Sequence, residues 1–219
     1  MVALQATSDA AEAAQKKLVV VELFTSQGCS SCPPANANLI KLRDRPDVLS
    51  LSFSVTYWDR LGWKDVFGRP EFTDRQAAYE PGLGERGPYT PQMVVNGAKS
   101  GVGADFAQVE RLIADAGKVT GPDVTLGSDV ARIGAASGRR GPADVWLVRY
   151  DPKVVETAVR RGENSGRTLP HSHVVHELRR LGGWTGDAVA FSLPSAPPDL
   201  KTAILVQQPG GQILSATTD

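Results

Sequence analysis

An excess of charge of either sign is missing from this chain of 219 residues: Lys+Arg and Asp+Glu are both 24, and the formal net charge is +0. The basic surplus that marks a nucleic-acid binder is therefore absent, and no nucleic-acid partner is expected. Long apolar runs are also missing, none approaching the ~20 residues that span a bilayer, so no transmembrane segment is expected. Aromatic residues are few, at 6%. There are only two cysteines, too few for a disulfide scaffold. What is present is ordinary for a soluble globular protein: 41% hydrophobic and 22% charged residues. Recurrent apolar segments exclude disorder over the whole chain. Gly (22) and Pro (15) imply many turns. The length suits one large domain or two modest ones.

Met1 to Gln15 is small and polar, without the charged and apolar regions of a signal peptide. Residues 1–16 read as a flexible tail, belonging either to a cytosolic chain or to a mature exported form. Lys17 to Phe24 is a short apolar run suited to a buried parallel strand. A turn over 25–28 leads to Cys29-Ser30-Ser31-Cys32, and Pro33-Pro34 fits the first turn of a helix from Cys32 to Arg43. Val48 to Tyr57 alternates apolar and polar residues and predicts a strand. The segment Trp58 to Tyr89 is long and turn-rich, with one short helix near Phe72 to Tyr79; such an insertion is more often functional than idle. Gln92 to Val95, the turn Asn96-Gly97 and Lys99 to Val102 predict a hairpin. Asp105 is the expected N-cap of a helix ending at Gly117, with Gln108 as capping-box partner.

Composition changes at Lys118 to Asp123. The chain therefore divides into a unit over 17–118, carrying the 58–89 insertion, and a β-rich, sandwich-like unit over 119–219. Strands are expected at Val124 to Ile133, Val145 to Tyr150, Val154 to Val159, Ala188 to Leu193, Ala203 to Gln207 and Ile213 to Ala216. Val174 to Leu181 fits a helix face by spacing and a strand by context.

A Cys-x-x-Cys directly after a buried strand and at a helix start has a chemical meaning. The N–H groups and partial positive charge of the helix tip favour thiolate over thiol. The spacing lets the two sulfurs bond. Cys29 is the candidate exposed nucleophile and Cys32 the candidate resolving thiol; exchange needs no cofactor, only a protein or small-molecule thiol or disulfide as partner. Thr90-Pro91, at the head of a strand, is the second element: with a cis bond, Thr90 would turn its backbone toward the cysteines.

This order of elements resembles the thioredoxin fold. Four strings more closely resemble a bacterial family of secreted, thioredoxin-like proteins of unknown function (domain of unknown function 1223): ELFTSQGCSSCPPA at 22–35, YWDRLGWKD at 57–65, YTPQMVVNG at 89–97 and GENSGR at 162–167. The resemblance spans nearly the whole chain after the tail. It implies an α/β, thioredoxin-like fold with a C-terminal β-rich addition, and a periplasmic or secreted location. It also places Glu22 where thioredoxins hold a buried acid, which would help move the proton of Cys32. Gly28 stands where thioredoxins carry an aromatic residue, and Ser-Ser replaces Gly-Pro between the cysteines.

The candidate site is thus Cys29, Cys32 and Glu22 for exchange, with Thr90, Pro91, Trp58 and Tyr89 for substrate, and no metal. Packing is the plainer role for Trp58, Trp63, Phe67 and Tyr89, and hydrogen bonding without catalysis the plainer role for Glu22. His171, His173 and His176 are expected as solvated surface residues rather than ligands, Gly162 to Arg167 as a structural turn, and Arg139-Arg140 as solvated charges. The function expected is thiol–disulfide exchange. The alternative is a non-catalytic, thioredoxin-like binding module whose cysteines form a structural disulfide or hold Cu(I).

Overall fold

The computed structural model describes residues 17–136 and 141–219. The expected tail and the Arg139-Arg140 pair lie outside the described residues. Strand β1 (Val19–Thr25) is buried along its whole length and lies parallel to β2 (Val48–Ser54), from Val19 opposite Val48 to Thr25 opposite Ser54. Helix α1 (Pro33–Leu42) makes the crossover. Its prolines sit in the first turn, where missing N–H groups cost nothing. Its apolar stripe, Ala35, Leu39 and Leu42, packs on Val19, Val21 and Leu23 of β1. On the other edge of β1 runs β3 (Gln92–Val95), antiparallel, which turns through Asn96-Gly97 into β4 (Lys99–Gly101). Asp105 caps α3 (Phe106–Ala116) by accepting from the Ala107 N–H at 3.0 Å. Val109 and Ile113 of α3 join the α1 core.

The opposite face of the sheet is covered by α2 (Pro70–Leu83), which extends the short helix expected at 72–79 in both directions and continues past Pro81. Phe24 stacks on Phe53 at 5.6 Å, and Phe72 of α2 meets Phe53 edge-on at 5.2 Å. Fully burying each such ring is worth roughly 1.5–3 kcal/mol. The serine face of β2 is covered as well: Ser50, Ser52 and Ser54 are all buried. The alternation therefore marked a strand between two packed layers, and the strand stops at Ser54 rather than Tyr57.

The second half departs most from expectation. Val124 to Ile133 breaks into β5 (Val124–Leu126) and β6 (Val130–Ile133), because Gly127-Ser128-Asp129 makes a turn. The two strands expected at 145–150 and 154–159 are one long strand, β7 (Ala143–Ala158). The ambiguous 174–181 segment lies inside β8 (Thr168–Trp184), antiparallel to β7. After β9 (Val189–Ser192) come β10 (Lys201–Gln207) and β11 (Ile213–Thr218). The strands of the β-rich half do not keep to a sheet of their own. Ser52 of β2 pairs with Val174 of β8, so β7, β8, β10 and β11 continue the first half's sheet in the order β11-β10-β7-β8-β2-β1-β3-β4. An unpaired edge on β2 would expose a row of backbone N–H and C=O groups, and β8 covers it at Ser52. Among the described residues β5, β6 and β9 make a second sheet, which shares a core with β7 and β10 through Val124, Ala131, Ile133, Val145, Leu147, Ile204 and Val206. The architecture is a mixed α/β protein with one large mixed sheet and few helices.

Candidate functional site

The turn after β1 carries the cysteines. The Cys29 N–H donates to Ser26 O and the Cys32 N–H to Cys29 O, both at 3.2 Å. Cys32 is the N-cap of α1, so the helix tip belongs to Cys32, and Cys29 lies in the turn before it. Both are free thiols. The Cys29 Sγ faces the backbone carbonyl of Thr90 at 3.7 Å, and the Thr90–Pro91 bond is cis. Cys29 is lowered from 9.0 to about 6. The largest cause is the hydrogen bond from the Cys32 thiol; burial opposes it, and the Thr90 hydroxyl and the Ser31 and Cys32 N–H groups add to it. Cys32 is pushed far up, chiefly by burial and then by its hydrogen bond and repulsion from Cys29. The pair is therefore asymmetric: an acidic outer sulfur beside an inner one that keeps its proton.

The 58–89 insertion forms a wall beside this turn. Trp58 Nε1 donates to Thr90 Oγ1 at 2.8 Å. A Cβ on Gly28 would come within 3.2 Å of the Trp58 Cβ, so the insertion packs closely on the turn before Cys29. Asp65, buried, accepts from the Gln27 N–H at 2.8 Å and the Phe67 N–H at 2.9 Å. Burial pushes its carboxyl up, against those two bonds. Gln27 Oε1 accepts from Trp63 Nε1 at 2.9 Å. Tyr89 is held through its carbonyl, which accepts from Gln76 Nε2 at 2.7 Å.

A third segment arrives from far along the chain. The connection between β7 and β8, residues 159–167, lies on the cysteine turn. Glu163 Oε2 accepts from the Ser30 N–H at 2.9 Å and the Ser30 hydroxyl at 2.7 Å. Asn164, fully buried, donates through Nδ2 to the carbonyls of Gln27 (3.0 Å) and Cys29 (2.8 Å). Gly162, at φ +77, would bring a Cβ to 4.0 Å from the Gly28 Cα. Cys29, at the centre of these contacts, is only 1% exposed. This corrects the expectation of an exposed nucleophile, and Gly162 to Arg167 is a turn that also touches the site.

A family model for proteins of unknown function, DUF1223, matches residues 20–207. The chain belongs to that family. The crystal structure of protein AGR_C_4864 from Agrobacterium tumefaciens is 32% identical, with a TM-score of 0.77 over 94% of this chain and 95% of that one. HBP35 of Porphyromonas gingivalis is similar in fold alone, at 17% identity and a TM-score of 0.57 over 93% of this chain and 75% of that one. No curated protein matches. In this DUF1223 chain, the four strings that carry the resemblance at 22–35, 57–65, 89–97 and 162–167 meet around Cys29 through the bonds just described.

Other expected site residues lie elsewhere. Glu22 does not serve the sulfurs: its carboxylate accepts from Arg75 Nε at 2.7 Å and from the Tyr79 hydroxyl, on the α2 side of the sheet. The strand period explains this, since Val21 and Leu23 point to α1 while Glu22 points the other way. A cavity of about 300 Å³, lined in part by Arg75, Tyr79, Trp146, Leu178 and Gln207, opens beside that pair. Two of the three histidines are not solvated surface residues, and His176 is half-buried. His171 and His173 are buried, and burial lowers His171 to about 4. His173 Nδ1 lies 2.7 Å from Ser50 Oγ, and Phe67 sits edge-on to both His171 and His176. Among the described residues no group of three or more His, Cys, Asp or Glu is placed to hold a metal ion. Gln27, Asp65, Glu163 and Asn164 are the site residues that sequence reasoning missed; their place inside the strings that carry the family resemblance was the signal.

Proposed function

We propose that the protein is a thiol–disulfide oxidoreductase on a thioredoxin-like scaffold, with Cys29 as attacking and Cys32 as resolving sulfur. One observation carries the reading: two free thiols of unequal acidity at the start of α1, the outer one facing the Thr90 carbonyl. The parallel β1–α1–β2 unit and the antiparallel β3–β4 hairpin support the scaffold. In the reaction, the Cys29 thiolate attacks one sulfur of a partner disulfide, forming a mixed disulfide and releasing the partner's other sulfur as a thiolate that takes a proton. Cys32 then loses its proton and attacks Cys29 Sγ. The product is a Cys29–Cys32 disulfide, and the partner leaves with both sulfurs reduced; the reverse sequence oxidises a partner dithiol. Thr90 and Pro91 border the approach to Cys29, with Trp58 fixing the Thr90 hydroxyl. Such exchange suits the oxidising, extracytoplasmic setting that the family resemblance implies.

The burial of Cys29 favours a second reading, a binding module whose thiols are inert or hold Cu(I). Trapping separates the two. Cys32→Ser is expected to accumulate a stable mixed disulfide at Cys29 when mixed with an oxidised model peptide, visible as a mass increase by intact-protein mass spectrometry. The Cys29→Ser variant should show none. Absence of the adduct in Cys32→Ser favours the binding module.

A further inference from the structure

We infer that residues 159–167 are a strap that gates Cys29, with Glu163 and Asn164 as its latch. The inference deepens the exchange reading by naming what controls access to the attacking sulfur. The strap is internally braced. The Val159 N–H donates to Arg167 O and the Gly166 N–H to Val159 O, both at 2.9 Å, and the Ser165 N–H donates to Gly162 O at 3.1 Å. Arg167 Nη1 donates to Asn164 Oδ1 at 2.8 Å, which leaves both Nδ2 hydrogens free to reach across. Those hydrogens end on the carbonyls of Gln27 and Cys29. Glu163 adds the Ser30 N–H and hydroxyl. Every one of these four latch bonds lands within two residues of Cys29, and they join positions 133 to 137 residues apart in the chain.

The arrangement has two chemical consequences. The Ser30 N–H, which belongs to the turn around the sulfur, is occupied by a carboxylate and is not turned to a thiolate. A visiting disulfide also finds little of the sulfur to attack: exchange needs the three sulfurs in line, and Cys29 is 1% exposed. Cys29 therefore reacts from a state in which the strap has lifted, and its apparent reactivity is its intrinsic reactivity multiplied by the open fraction. Gly162, at φ +77 beside Trp63 and Gly28, is where the strap enters its contact.

Alkylation by iodoacetamide tests this on the full reduced chain, with each cysteine read separately by peptide mass spectrometry. Wild-type Cys29 should react at least tenfold more slowly than a model thiol corrected to the same thiolate fraction. Asn164→Ala removes two buried hydrogen bonds and should raise the Cys29 rate tenfold or more. Cys32 should stay unreactive, whereas general loosening would expose both. Glu163→Lys alters an exposed side chain that poses little risk to folding, and should raise the Cys29 rate at least threefold. It decides the matter if Asn164→Ala fails to fold. Unchanged rates in the folded variants, or a wild-type rate equal to that of the model thiol, overturn the strap. The probe needs no disulfide partner, so the two ideas fail separately. Fast alkylation of strap variants without exchange turnover removes the oxidoreductase and keeps the gate; turnover with strap-independent alkylation does the reverse.

Discussion

Cys29→Ser is expected to abolish turnover with a small disulfide, a loss on the order of 10³-fold or more, while Cys32→Ser keeps the first half-reaction and loses the second. The asymmetry follows from the environments. At neutral pH a thiol lowered to about 6 is mostly thiolate, whereas Cys32 keeps its proton until Cys29 is consumed. A serine hydroxyl at 29 offers neither the charge nor the polarisable sulfur. The check is single-turnover reduction of a chromogenic disulfide: wild type releases two thiols per protein, Cys32→Ser one and Cys29→Ser none. Equal loss in both variants in the first half-reaction would remove the assigned order. The pH dependence has a definite sign. Because the Cys29 value is lowered, its reactive form is lost as pH falls through about 6, and the rate should then drop tenfold per unit.

The second large effect lies away from the sulfurs. Glu22→Gln should destabilise the fold by about 3–5 kcal/mol, because it strands the charge of a buried arginine. The Arg75 side chain is 5% exposed and its partner 0%. Tyr79 donates to the same carboxylate, and Gln207 Nε2 donates to Tyr79 at 2.8 Å, so the loss spreads through a buried network joining β1, α2 and β10. Urea denaturation measures it. The same variant, where folded, should leave the second half-reaction, in which Cys32 gives up its proton, unchanged in rate, which separates this structural role from the proton transfer that the family resemblance implied. Replacing both members with leucine should recover part of the stability, since no uncompensated charge then remains.

These two results bear on what the sequence could carry. Features set by neighbours in the chain were legible: the β1 run, the proline start of α1, the Asn96-Gly97 hairpin and the Asp105 cap each depend on a few consecutive residues. Boundaries slipped where backbone geometry depends on packing, as at β2, which ends at Ser54 where the chain turns into the insertion. The continuous β7 was hidden by Asp151-Pro152, which reads as a turn locally but lies in a strand with a register shift against β8. The pairing of β2 with β8 has no local signal at all. At the site, the meeting of the cysteine turn with Thr90-Pro91 was readable because both motifs are written in residue type. Glu22 was misplaced because Arg75 lies 53 positions away on a helix whose facing only the fold determines. The latch was missed for the same reason: Glu163 and Asn164 are ordinary polar residues until the β7–β8 connection sets them on the cysteine turn.

The central claim is that the fold makes the outer of the two thiols acidic. Ultraviolet thiolate absorbance of the reduced chain, titrated against pH, tests it most directly because it requires no access by a reagent. The account predicts one thiolate with a midpoint of about 6, absent in Cys29→Ser. A first midpoint at the ordinary thiol value of 9.0 or above would contradict it.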